Sequence, residues 1–77
     1  MPEKKILAEN LKQLRHIHNL SQFEFAYECG ISQEAISLLE RGKGNPTLES
    51  LQLIAAYSGY TVSELLSPIK NIKENEK

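Results

Sequence analysis

A chain of 77 residues, 40% apolar and 25% charged, has the composition of one ordinary globular domain; at that size folding buries only about 60% of the unfolded surface, so pairing would add stability. Nine Lys and Arg stand against ten Glu and no Asp, for a net charge of −1, so a polyanionic partner would have to be met by charge gathered locally. A single cysteine, Cys29, excludes an internal disulfide, and with only His16 and His18 there is no metal-ligand spacing.

Near the start only Ile6, Leu7 and Ala8 are continuously apolar. That is far short of a signal sequence or a membrane span, and a cytoplasmic protein is expected. Leu7, Leu11, Leu14 and Ile17 recur at helical spacing, which predicts an amphipathic helix over residues 4–18 with Asn19 in the left-handed stop position. Ser21 and Glu24 have the spacing of a capping box, and Leu20 stands where it would staple against Phe25. A second helix therefore begins at Gln22 and runs to Cys29, where Gly30 turns the chain. Ser32 caps a third over residues 33–41, with Ile31 and Ile36 as its staple, Ile36 and Leu39 facing inward and Gly42 as its stop.

After the loop Lys43-Gly44-Asn45-Pro46, Thr47 caps a fourth helix with an inward stripe of Leu48, Leu51, Ile54 and Ala55, ended by Gly59. A second capping box, Thr61 with Glu64, opens a short fifth helix carrying Val62, Leu65 and Leu66 that stops before Pro68. The expected organisation is one all-α domain over residues 1–68 and a polar tail over 69–77.

Two short capped helices joined by a glycine turn suit a duplex reader, since the second can lie in the major groove while the first braces it across the backbone. Leu20-Ser21-Gln22, Ala26, Gly30-Ile31-Ser32, Ile36-Ser37, Leu39-Glu40-Arg41-Gly42 and Asn45-Pro46-Thr47-Leu48 resemble the phage Cro/repressor-type, XRE-like helix-turn-helix family. The likeness covers roughly residues 7–66. It implies a five-helix lambda-repressor-like DNA-binding domain with the helix-turn-helix at helices two and three. It also implies a sequence-specific regulator of transcription, most simply a repressor, that binds a palindromic operator in double-stranded DNA as a homodimer.

By the same resemblance Gln22 hydrogen-bonds a phosphate and supports Gln33, which opens the recognition helix. A glutamine amide donates and accepts in one plane, matching adenine N7 and N6 with a discrimination of ~1–3 kcal/mol. Glu34 and Ser37 share the exposed face; Glu34 either accepts from cytosine N4 or is simply a favourable charge at a helix N-terminus. Leu38 stands where the family often has a polar or basic residue, and either presses on a thymine methyl or packs. Lys43 and Asn45, with Ser32, resemble the phosphate-positioning part of the family. Arg15 and Glu40 match a pair joining helix one to the recognition helix, with Arg15 also free to approach phosphate.

Residues 21–41 hold four glutamates and one arginine. Helix N-terminal amides must therefore do much of the phosphate binding, with Lys4, Lys5, Lys12 and Lys43 supplying what positive field there is. Leu53 and Tyr57 lie off the inward stripe of helix four, near Tyr60, and either form an exposed pairing surface or cover a larger core. Ile69 and Ile72 would extend that surface, in keeping with the family's pairing through helices four and five. Phe23 and Tyr27, four apart on helix two, either pack on each other or offer Tyr27 to a phosphate. Cys29 is expected to be a buried, unreactive thiol.

The rival reading is a protein-interaction module, an antitoxin or antirepressor-like partner on the same fold. An enzyme is disfavoured, because His16 and His18 face different sides of one helix and no nucleophile-base spacing is present. No cofactor, metal or small ligand is implied.

Overall fold

A computed structural model describes residues 2–69. Those residues form five helices, α1 (Pro2–Ile17), α2 (Gln22–Cys29), α3 (Gln33–Glu40), α4 (Leu48–Ser58) and α5 (Val62–Leu65). The first begins two residues earlier than its apolar pattern predicts. Pro2 takes the first helical position, where a missing N–H costs nothing and the fixed φ already suits the helix.

Three successive helices end on one device. At Asn19, Gly30 and Gly42 the chain turns to positive φ, at 58°, 83° and 71°. The next amide then reaches back across the turn, as Leu20 N to Arg15 O (3.0 Å), Ile31 N to Ala26 O (3.0 Å) and Lys43 N to Leu38 O (2.9 Å). A Cβ on Gly30 would meet nothing within 4 Å, so the residue is needed there for its backbone angle and not for space. The starts are equally regular: Ser21, Ser32, Thr47 and Thr61 each accept a hydrogen bond from the amide three residues on. Ser21 with Glu24 and Thr61 with Glu64 complete the two expected capping boxes.

Leu7, Leu11 and Leu14 from α1 meet Phe25, Ile36, Ile54 and Leu65 in a single core to which every helix contributes. Asn10 is buried within it, its amide donating to Leu65 O at 2.8 Å and Ser67 O at 2.9 Å. That one side chain satisfies carbonyls at the end of α5 and ties the last helix to the first.

The inward face of α4 differs from the predicted stripe. Leu51, Ile54 and Ser58 are buried, whereas Leu48 is 63% exposed. Leu48 is the first residue of its helix, and the burial begins one turn later, where α4 packs against α2 and α5. Tyr57, for which a pairing surface and a larger core were both open, is half-buried against the core, its ring edge-on to Phe25 at 5.8 Å and tilted against His18 at 6.0 Å. Burial raises the pKa of its hydroxyl, with Glu28 and Cys29 adding to the effect. Leu53, Tyr60 and Ile69 are half-buried, and Ile72 lies outside the described residues.

Candidate nucleic-acid interface

The recognition unit is built outward from its caps. Ser32 Oγ accepts from Ala35 N at 3.1 Å, which caps α3 and fixes where its first turn begins. Gln33 and Glu34 stand exposed on the first turn, and Ser37 and Leu38 lie one turn further along, half-buried. Spacings of four put Gln33 over Ser37 and Glu34 over Leu38, so the four residues make two adjacent columns on one helix face.

Leu38 has a second neighbour. A Cβ built on Gly44 would lie 3.8 Å from Leu38 Cβ, so the loop after α3 closes over this side chain. Ala35, Leu38, Lys43, Asn45 and Pro46 together line a recess of about 90 Å³. The side chains of Lys43 and Asn45 are exposed, but the Lys43 amide is already committed to Leu38 O. That backbone amide is therefore spent within the turn, which leaves the two side chains as the exposed polar groups of this stretch.

Glu40 organises the unit from beneath. It is 5% exposed at the end of α3. Arg15 Nε donates to its Oε2 at 2.7 Å and Arg15 Nη2 to its Oε1 at 3.0 Å. Gln22 Nε2 donates to the same Oε1 at 3.1 Å. The remaining end of the guanidinium, Nη1, reaches Leu20 O at 3.0 Å. One carboxylate thus joins α1, the first residue of α2 and the last residue of α3, and its hydrogen bonding raises the pKa of Arg15 above the ordinary value.

This arrangement bears on two expectations. Arg15 is turned inward and held by three hydrogen bonds, as the structural cation expected, with two of its five N–H donors left unspent. Gln22 spends one amide hydrogen on Glu40, so one remains for a phosphate, and its predicted support goes to Glu40 and not to Gln33. The Arg15–Glu40 pair matches its sequence expectation; the third member was not anticipated. Its only signal in the sequence was the presence of an amide donor at the first turn of α2.

Cys29 is buried, and desolvation first, then the nearby Glu28, pushes its thiol up to about 12. Phe23 and Tyr27 are 62% and 76% exposed on the outer side of α2. Among the described residues no helix is long and apolar enough to cross a membrane.

Two short capped helices crossing at a left-handed glycine, with the second presenting polar side chains from its first turn, define a DNA-binding helix-turn-helix domain. The Helix-turn-helix family model matches residues 11–65, and the chain belongs to that family of transcriptional regulators. Relatives include the HTH-type transcriptional activator BcrR of Enterococcus faecalis, 46% identical over 77% of this chain and 29% of the relative. An uncharacterized HTH-type transcriptional regulator, y4dJ of Sinorhizobium fredii, is 37% identical over 88% of each chain. The chain thus spans under a third of the first relative's length and most of the second's. Among solved structures, a hypothetical transcription factor from Neisseria superposes with a TM-score of 0.80 at 31% identity, covering 87% of this chain and 75% of that one. The all-helical, repressor-like fold is the one the resemblance implied.

Proposed function

We propose that this chain reads a palindromic operator in double-stranded DNA as a homodimer and represses the transcription that starts there. The observation that carries the reading is the pair Gln33 and Glu34, exposed at the capped start of a helix whose far end is fastened to both α1 and α2 through Glu40. A side chain meant to read a base edge has to be held to within a fraction of an ångström, and that fastening supplies the rigidity. Gln33 suits adenine, Glu34 suits cytosine N4, and Ser37 accepts or donates at either column. Gln22, Ser32 and the Lys43–Asn45 loop position the strand.

Pairing would set two such helices about 34 Å apart, one turn of the duplex, and would square the modest affinity expected of so few cations. Tyr60, Leu53 and Ile69, half-buried in the single chain, keep apolar surface for that contact, while Tyr57 serves the core beneath it. Repression requires only that the occupied site exclude other proteins.

Selection from a random duplex library tests the reading. Enrichment of a palindrome by the wild type, with light scattering giving two chains per duplex, is the expected result. Recovery of no preferred sequence removes specific reading and favours the protein-interaction module.

A further inference from the structure

The net charge of −1 conceals a local arrangement. The cations among the described residues are Lys4, Lys5, Lys12, Arg15, Arg41 and Lys43. Arg15 is consumed by Glu40, and Lys43 is on the exposed loop. All four others line one groove of about 390 Å³ between the first turns of α1 and the end of α3. Two carboxylates share it, and both are already answered: Glu40 by Arg15 and Gln22, Glu9 by Lys12 at 3.4 Å. Lys4, Lys5 and Arg41 make no ion pair among the described residues, so the groove presents uncompensated positive charge. Its floor is close to the recognition unit, since a Cβ on Gly42 would lie 4.0 Å from Lys4 O.

The location matters as much as the charge. The eight residues of α3 span about 12 Å at ~1.5 Å per residue, and the major groove of B-DNA is about 12 Å wide. If the first turn of α3 is at base edges, Arg41 at the other end is carried to the backbone that walls the groove, with Lys4 and Lys5 beside it. We infer that the groove formed by Lys4, Lys5, Lys12 and Arg41 is a second phosphate site, gripping the duplex backbone at the far end of the recognition helix. The inference rests on the duplex reading above and adds an electrostatic anchor that the acidic helix-turn-helix lacks. It contacts phosphate alone and carries no base preference.

The test is the salt dependence of binding, measured by fluorescence anisotropy on the selected duplex and on a random-sequence duplex, for the double variant Lys4→Gln/Lys5→Gln and for Arg41→Gln. Each lost phosphate contact should flatten the slope of log K against log salt by about 0.9, with the order of preferred sequences unchanged. Glu9→Gln, which releases Lys12, should steepen it. Thermal melts establish that each variant is folded, and should the double variant fail to fold, Arg41→Gln and Glu9→Gln decide the matter alone. Wild-type slopes in the folded variants overturn the site. Enrichment of an operator with unchanged slopes removes the groove and keeps the reading; a flattened slope on random DNA with no enriched operator keeps the groove and removes the reading.

Discussion

Gln22 Nε2 and Arg15 Nη2 converge on one oxygen, Glu40 Oε1, at 3.1 and 3.0 Å, so the first residue of α2 and the middle of α1 share their hold on the last residue of α3. The three partners do not contribute equally. Arg15 brings charge and two of the three hydrogen bonds; Gln22 brings one neutral donor. Removing Glu40 strands a largely buried guanidinium, whereas removing Gln22 leaves the ion pair whole.

Glu40→Ala is therefore expected to destabilise the fold by about 3 kcal/mol, the cost of leaving the partner charge uncompensated in a mostly buried place. In a domain of this size that lowers Tm by more than about 10 °C. A melt followed by circular dichroism checks it, and a loss under about 1 kcal/mol would show that Arg15 finds water instead.

Gln22→Ala should cost only about 1 kcal/mol of stability, the net worth of one hydrogen bond. Its effect on DNA should be a uniform weakening across sequences. Gln33→Ala should behave oppositely, relaxing preference at one base position by about 1–3 kcal/mol while the salt slope stays as in the wild type. Binding of both variants to a set of single-base operator mutants separates the two roles.

Asn10→Ala removes the donor for two carbonyls at the end of α5, Leu65 O and Ser67 O. A loss of about 1–3 kcal/mol is expected in urea unfolding. Hydrogen exchange should rise first in α5 and hardly at all in α2 and α3, because the clamp joins only the last helix to the first.

Cys29 should resist thiol reagents at neutral pH and react only as fast as the domain opens. Its folded pKa of about 12 lies above the ordinary value of 9.0. The unfolded chain therefore releases this proton first as pH rises, and stability falls from about pH 9 toward pH 12 while being unaffected by this group below that window. Replacing the cysteine, as in Cys29→Ala, should abolish that part of the alkaline loss; urea titrations at pH 8 and pH 10 measure it.

Helix positions and their ends were legible in the sequence because they are set by neighbours along the chain. Ser21 with Glu24, Thr61 with Glu64, and the left-handed stops at Asn19, Gly30 and Gly42 depend on side chains and backbone angles within a few residues of one another. The inward leucines of α1 follow from helical spacing alone, and so does the outward direction of Gln33 and Glu34.

Only the tertiary structure decided which surfaces those helices bury and which charges remain. The sequence placed Leu48 inside and left Tyr57 open between an outer surface and the core; packing exposed the first and set the second against Phe25, because where α4 crosses α2 and α5 is fixed by the whole core and not by the periodicity of one helix. Gln22 is bound to a carboxylate 18 residues away. Lys4, Lys5 and Arg41 meet across two helices. Charge acts through space, so a chain that adds up to nearly nothing still has a positive groove beside an acidic recognition unit, and no count along the sequence reveals it.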